Sequence, residues 1–240
     1  MSESGFDVTV PGAGAGAGAG DVPPSPSYAV LPRGATRGMV VLHEIFGRMP
    51  EIDRVVDRFG AAGYAAVAPD LFRSSLRPIC IARAIRAIAN GEGAQLDQIR
   101  RARDWLCERT GIAHGKIGVI GFCMGGGFAL AVGRGWGAVS TNYGEVPPTE
   151  IMRGIGPVIG CYGGRDRLFG KNAQKLEQRL APLGVEVETH TFPEVGHSFL
   201  TDGDHPVARR LSAPLLRVSY DPAIADQAWQ LIHAFFDRHL

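Results

Sequence analysis

Apolar residues along this chain follow two alternating patterns. Short, continuous apolar runs such as Met39–Ile45 have the length and composition of strands that are buried on both faces. Between these runs, apolar residues recur every three or four positions, which is the spacing of amphipathic helices. The runs predict strands at Phe6–Val10, Ser27–Leu31, Met39–Ile45, Tyr64–Leu71, Lys116–Phe122, Gly137–Tyr143, Pro157–Tyr162 and Val185–Phe192.

The helical spacing predicts helices between most of these strands. They are Glu51–Phe59, a helix through Leu96 and Leu106 that ends near Gly111, Met124–Val132, a helix through Ala173 and Leu180 that ends at Gly184, and Ala223–Leu240. Buried strands that alternate with amphipathic helices predict an α/β fold with a mostly parallel central sheet and helices on both faces. No second core is visible, so residues 1–240 are interpreted as one domain.

Two segments lie outside this alternation. The repeat Gly12–Gly20 reads GAGAGAGAG and is predicted to be the loop of a hairpin between the first two strands, because too few residues precede it for a separate module. Leu200–Pro222 shows no clear period and is interpreted as a loop or a lid.

Composition excludes several functional classes. Lys+Arg 25 and Asp+Glu 24 give a net charge of +1, which leaves no basic excess for binding nucleic acid. No apolar run approaches the roughly 18 residues of a membrane span, and the first residues lack the pattern of a secretory signal. We therefore expect a cytoplasmic protein, either monomer or homodimer, that binds a small molecule. The four cysteines have no metal-ligand spacing and are expected to be free thiols; they are Cys80, Cys107, Cys123 and Cys161.

The most informative motif is Gly121-Phe-Cys-Met-Gly125, which lies between a predicted strand and a predicted helix. It matches the nucleophile elbow of hydrolases, with Cys123 where serine is usual. The following helix directs its positive N-terminus at the sulfur, which stabilises a thiolate. The alternative is a structural cysteine in a glycine-rich turn.

Two further residues follow later strands in the order that this kind of hydrolase requires. Asp166 follows the strand that ends at Tyr162, and His197 follows the strand that ends at Phe192. Taken singly, Asp166 could cap a helix and His197 could be a solvated loop residue. As an ordered set with Cys123, they predict a nucleophile, a general base at His197 and an acid at Asp166 that orients the imidazole.

The early strand that ends in His43-Glu-Ile-Phe-Gly47 is where this architecture builds half of its oxyanion hole. The backbone N–H groups of Ile45 and Met124 are the candidate donors. Glu44 is a carboxylate at the end of an apolar strand and needs a partner. Either it forms a salt bridge with Arg54 or Arg73, or it contacts the site.

These motifs together resemble those of the dienelactone hydrolase family, the carboxymethylenebutenolidases, which are α/β-hydrolases with a cysteine triad. The resemblance covers about residues 38–200 and the last helix. It rests on HEIFG (43–47), APDLF (68–72), GFCMGGG (121–127), GGRD (163–166) and GHSF (196–199). It implies hydrolysis of a small enol-lactone to maleylacetate without a cofactor or metal, and it implies that Glu44 pairs with the nucleophile and keeps the resting thiol poorly reactive.

The chain also departs from that family pattern. The resemblance implies two arginines that hold the substrate carboxylate. Arg73 matches the first, but Thr201 stands in the place of the second. We therefore expect tolerance of neutral esters, unless an arginine of the long segment (Arg209, Arg210 or Arg217) takes that place. Phe46, Tyr143 and Phe199 are predicted to contact the substrate together with Arg73.

Two other functions remain open from the sequence. The same triad could act on a thioester or an aryl ester, or the fold could be a non-catalytic scaffold that binds a small lactone. Two other histidines, His43 and His205, compete with His197 for the role of base and are expected to tolerate substitution better.

Overall fold

A single sheet organises the part of the chain that the structure describes. The computed structural model describes residues 4–12, 22–72, 77–203, 216–218 and 220–240. The strands are β1 (Phe6–Val10), β2 (Ser25–Val30), β3 (Gly38–Leu42), β4 (Ala65–Pro69), β5 (Ile117–Phe122), β6 (Ala138–Asn142), β7 (Val158–Gly163) and β8 (Val187–Phe192). Their order in the sheet is β1-β2-β4-β3-β5-β6-β7-β8. The pairs β1/β2 and β2/β4 are antiparallel and all others are parallel, which confirms the predicted mostly parallel sheet.

Helices cover both faces of this sheet. They are α1 (Pro50–Ala61), α2 (Arg77–Asn90), α3 (Ala94–Thr110), α4 (Met124–Val132), α5 (Asn172–Leu180) and α6 (Pro222–His239), with short 3-10 helices at His114–Lys116 and Ala181–Leu183. Apolar residues of α1 and α6 pack on one face, and those of α2 to α5 pack on the other. The fold is therefore the predicted α/β class. None of the helices in the described ranges is both long and apolar enough to cross a membrane.

Most predicted strands and helices end within two residues of the observed ones, and two differences are larger. Helix α2 was not predicted, although Cys80, Ala84, Ala87 and Ile88 recur at helical spacing and form its buried face. Strand β3 ends at Leu42 rather than at Ile45, because the chain leaves the sheet at His43. The Glu44 carbonyl accepts a hydrogen bond from the His43 ring and not from a neighbouring strand. The pairing of β1 with β2 is that of the predicted hairpin.

Several sequence predictions fall outside the described residues. These are Arg73, His205, Arg209, Arg210, the repeat beyond Gly12, and most of Leu200–Pro222. The structure therefore does not test the roles predicted for these residues.

The parallel strands bring the candidate residues to one edge of the sheet. Because β3, β5, β6, β7 and β8 run in the same direction, the residues that follow them emerge on the same side. Glu44 follows β3, Cys123 follows β5, Tyr143 follows β6, Asp166 follows β7 and His197 follows β8. This carboxyl edge is where open α/β sheets bind ligands.

Candidate active site

Cys123 lies in a strained turn between β5 and α4. Its φ is 54° and its ψ is −114°, and positive φ is uncommon outside glycine. Backbone hydrogen bonds hold the turn: the Cys123 N–H donates to the Asn142 carbonyl (3.0 Å), and the Gly126 N–H donates to the Cys123 carbonyl (3.0 Å). A Cβ on Gly121 would lie 1.9 Å from the Gly125 carbonyl oxygen, so the turn requires glycine there. The backbone therefore has the geometry of a nucleophile elbow.

The four cysteines differ in their surroundings, and all of them are free. Cys80 and Cys161 are buried, and burial raises the pKa of the Cys161 thiol far above its usual range. Cys107 is half-buried on α3, where burial also raises its pKa. Cys123 is half-buried and is the cysteine that the elbow presents at the carboxyl edge of the sheet.

Asp166 and His197 form a buried pair. The His197 Nδ1 atom lies 2.6 Å from Asp166 Oδ2, and the two side chains are 3% and 1% exposed. The other carboxylate oxygen, Oδ1, accepts the backbone N–H groups of Leu168 (2.9 Å) and Phe169 (3.0 Å). Both oxygens are thus occupied, which fixes the carboxylate and directs one oxygen at the imidazole.

The opposite nitrogen of His197 is available for chemistry. Its Nε2 atom is buried and has no hydrogen-bond partner of ordinary geometry among the described residues. Burial by itself lowers the pKa of the ring, but the Cys123 sulfur and the hydrogen bond with Asp166 outweigh it and raise the pKa to about 10. The ring is therefore held as an imidazolium when the thiolate lies beside it.

Glu44 is buried beside two hydroxyl groups. Its side chain accepts hydrogen bonds at Oε1 from Tyr143 Oη (3.3 Å) and from Thr201 Oγ1 (3.2 Å), and the residue is 8% exposed. Within the described ranges Glu44 forms no salt bridge, and Arg54 instead donates to the Asp202 carbonyl (2.8 Å). The sequence had offered a salt bridge with Arg54 as one alternative, and the structure does not form it.

His43 has a structural role beside Glu44, because both of its ring nitrogens hydrogen-bond the backbone. Its Nδ1–H donates to the Glu44 carbonyl (2.7 Å), and its Nε2 accepts the Leu71 N–H (2.9 Å). Burial lowers the pKa of the ring, so it is neutral and joins the loop after β3 to the loop after β4. Among the described residues, its two nitrogens are therefore already committed.

The two candidate oxyanion donors lie on neighbouring strand exits. In the register of β3 and β5, Leu42 pairs with Gly121, so Ile45 and Met124 each come three residues beyond this pair. Ile45 lies in a turn and Met124 is the first residue of α4, whose amide has no acceptor within the helix.

Of the predicted substrate contacts that lie in the described ranges, Phe46 alone keeps exposed surface at this edge, where it is half-buried in the turn after Glu44. Tyr143 and Phe199 are fully buried, and their rings pack against each other at 5.7 Å. A ring without exposed surface has no face for a substrate, so Phe199 belongs to the packing behind the site. Tyr143 also contacts the His197 ring at 4.9 Å, and its hydroxyl faces Glu44.

Two residues of the site were not identified from the sequence. Thr201 was noted only as the place of a missing arginine, but it hydrogen-bonds Glu44. Asn142 holds the elbow through its carbonyl and also donates from its side chain to the Gly121 carbonyl (3.1 Å). The position of Thr201 two residues after GHSF was the available signal. The described residues contain no group of three histidine, cysteine or acidic side chains that could hold a metal ion.

Comparisons with known proteins give the family and the fold. The model of the dienelactone hydrolase family matches residues 26–240. A carboxymethylenebutenolidase from Rhodococcus opacus is 29% identical over 233 residues, which cover 86% of this chain and 83% of the relative.

Two solved structures share the fold. A dienelactone hydrolase-like promiscuous phosphotriesterase from metagenomic libraries has a TM-score of 0.70 at 22% identity, covering 90% of this chain and 93% of the other. The dienelactone hydrolase from Anabaena variabilis has a TM-score of 0.62 at 20% identity, covering 89% and 97%.

Proposed function

The chain belongs to the dienelactone hydrolase family, and from that premise we propose that it hydrolyses small lactones or esters with Cys123 as nucleophile, His197 as general base and Asp166 as the residue that orients the imidazole. The observation that carries the proposal is the buried 2.6 Å pair of His197 and Asp166 at the same edge as the strained elbow of Cys123. The effect of Cys123 on the pKa of His197 further supports their proximity.

The proposed reaction proceeds through a thioester on Cys123. His197 Nε2 takes the thiol proton, and the sulfur attacks the acyl carbon. The N–H groups of Ile45 and Met124 stabilise the oxyanion. When the C–O bond breaks, His197 returns the proton to the leaving oxygen. Water then attacks the thioester with His197 again as base, which releases the acid and restores the thiol.

Glu44 is proposed to tune the nucleophile. A carboxylate near a thiol disfavours the thiolate, whereas the helix N-terminus and the protonated His197 favour it. Glu44→Gln should therefore change the rate at which the resting thiol is alkylated.

Arg73 is proposed to hold a substrate carboxylate through two hydrogen bonds, because it comes four residues after β4 in the sequence and β4 ends at the carboxyl edge of the sheet. With Thr201 in the second arginine's place, we expect neutral esters to be accepted. The test compares an anionic lactone with a matched neutral lactone in the wild type and in Arg73→Ala. An equal loss of kcat/KM for both substrates would rule out a carboxylate clamp at Arg73, and rejection of neutral lactones by the wild type would contradict the expected tolerance.

The proposed nucleophile is tested by hydrolysis of p-nitrophenyl acetate with and without iodoacetamide. We expect turnover that iodoacetamide abolishes, that is absent in Cys123→Ala, and that is mostly retained when each other cysteine is changed to alanine. Turnover at the wild-type rate in a folded Cys123→Ala protein would contradict the proposal. Saturable lactone binding without turnover would instead identify a scaffold, and faster turnover of thioesters than of lactones would identify a thioesterase.

A further inference from the structure

The Glu44 carboxylate is held at one oxygen by two hydroxyl groups from different loops. Tyr143 follows β6, and Thr201 lies four residues beyond His197. Their hydroxyl oxygens lie 3.3 Å and 3.2 Å from Glu44 Oε1 and 3.4 Å from each other. The three oxygens thus form a compact triangle that joins the loop after β3 to the loop that bears His197.

The direction of these hydrogen bonds follows from the chemistry of the groups. An ionised carboxylate can only accept, so both hydroxyls donate to it. Burial, followed by the charge of Glu44, raises the pKa of Tyr143 well above its usual range, so the phenol keeps the proton that it donates. Each hydroxyl has one proton, so the hydrogen bond that the 3.4 Å distance between Tyr143 and Thr201 also allows competes with the shorter contacts to Glu44 for these protons.

The same tyrosine also responds to Cys123. The pKa of Tyr143 is raised by burial and by Glu44, and further by the charge of the Cys123 sulfur. Glu44 and Cys123 also leave neighbouring strands side by side, because each comes two residues beyond the paired Leu42 and Gly121. The carboxylate and the nucleophile therefore lie at adjoining strand ends, in a region where solvent screens charges poorly. The electrostatic effect of Glu44 on Cys123 then depends on where the carboxylate is held.

We propose that Tyr143 and Thr201 are positioning residues that hold the Glu44 carboxylate in place beside Cys123, and we name this pair the hydroxyl clamp. The proposal rests on the proposed function, because it explains how that site keeps the charge of Glu44 near its nucleophile. It assigns Thr201 a contact with the protein's own carboxylate rather than with a substrate. The burial of both residues supports this assignment, since Tyr143 has no exposed surface and Thr201 is only 6% exposed.

The clamp is tested by the rate at which iodoacetamide alkylates Cys123 at neutral pH. Thr201→Val keeps the shape but removes the donor, Thr201→Ser keeps the donor, and Tyr143→Phe removes the phenolic hydroxyl. Peptide mass spectrometry follows Cys123 separately and uses the half-buried Cys107 as the internal reference. Both hydrogen bonds are longer than the roughly 2.8 Å that is typical between oxygens, so each is expected to be weak.

Loss of one donor releases the carboxylate and weakens its repulsion of the thiolate. We expect Thr201→Val and Tyr143→Phe each to speed alkylation of Cys123 about fivefold, the equivalent of one net hydrogen bond. Thr201→Ser should restore the wild-type rate, and alkylation of Cys107 should not change. A wild-type rate of Cys123 alkylation in both folded donor-less variants would overturn the proposal.

A double-mutant cycle then shows whether the clamp acts through Glu44. In a Glu44→Gln background the side chain is neutral, so its position no longer affects the charge on sulfur, and Thr201→Val should have no further effect. A full effect of Thr201→Val in that background would overturn the proposal, because Thr201 would then act independently of Glu44.

These outcomes are separable from the proposed function, because alkylation requires no turnover. If turnover persists in Cys123→Ala while the cycle behaves as expected, the catalytic proposal is wrong and the clamp stands. If turnover requires Cys123 but Thr201→Val leaves its alkylation unchanged, the clamp alone is wrong.

Discussion

Replacement of Asp166 with asparagine tests how the histidine ring is oriented. An asparagine at this position would place its oxygen on the N–H groups of Leu168 and Phe169, which now bind Oδ1 at 2.9 and 3.0 Å. Its NH₂ group would then face His197 Nδ1, where the carboxylate now accepts at 2.6 Å. Two donors cannot share one hydrogen bond, so the ring proton must move to Nε2. That nitrogen could then no longer accept the thiol proton.

The expected loss can be sized from the environment of His197. A pKa of about 10, against the ordinary 6.5, corresponds to about 5 kcal/mol in favour of the imidazolium. Burial opposes this preference, and the Cys123 sulfur and Asp166 supply it. Asp166 contributes both a hydrogen bond and its charge, so its loss removes part of this preference, and each roughly 1.4 kcal/mol that is removed lowers the rate about tenfold. The wrong tautomer adds to this, so we expect kcat to fall about 10²- to 10⁴-fold, and further in His197→Ala.

The assay is steady-state hydrolysis of p-nitrophenyl acetate, with thermal unfolding as the test of folding. Asp97→Asn is the matched control, because Asp97 is a half-exposed aspartate on α3 that pairs with Arg100. We expect the control to keep wild-type kcat. A folded Asp166→Asn protein whose kcat lies within about threefold of wild type would refute the reasoning.

Two further predictions concern a loop contact and a half-buried carboxylate. A Cβ on Gly196 would lie 1.9 Å from the Arg217 carbonyl oxygen, and the neighbouring His197 N–H donates to the Leu216 carbonyl at 2.9 Å. Gly196→Ala should therefore displace His197 and lower kcat by up to about 10²-fold. Gly115→Ala is the control, because a Cβ there meets open space, and it should keep the wild-type kcat. Equal kcat values in the two variants would contradict this prediction. Burial raises the pKa of Asp53 from 3.8 to about 6, despite the nearby charge of Arg48. The folded protein therefore favours the protonated carboxyl, and its contribution to the free energy of unfolding is complete below pH 3.8 and is lost as the pH rises through 6. Asp53→Asn should raise Tm above pH 6 and not below pH 3.8, and a pH-independent change in Tm would contradict the assignment.

The sequence predicted the residues whose positions follow from strand order. Cys123 comes directly after β5, Asp166 three residues after β7 and His197 five residues after β8, and parallel strands deliver the residues that follow them to one edge of the sheet. The elbow glycines made the Cys123 turn recognisable, because only a residue without Cβ fits at Gly121. Asp166 and His197 could be expected to pair because they follow β7 and β8, which are neighbours in the sheet, so the two loops lie next to each other.

The contacts that the sequence could not predict depend on side chains from distant loops. Thr201 meets Glu44 across 157 positions of the chain, and no local pattern encodes that distance. His43 is a polar residue beside a candidate site, and only its two backbone partners identify it as structural. Helix α2 was missed although Cys80, Ala84, Ala87 and Ile88 recur at helical spacing; its buried face packs on α4 and α3, not directly on a strand next to it in the chain.

The most direct test of the proposed mechanism is detection of the acyl-enzyme. The wild-type protein is mixed with p-nitrophenyl acetate, quenched in acid during turnover, digested and analysed by mass spectrometry. The account predicts an acetyl group on the peptide that contains Cys123, none on the peptide that contains Cys107, and loss of the adduct as the substrate is exhausted. Turnover at the wild-type rate without an adduct on Cys123, or with the adduct on another residue, would contradict the account.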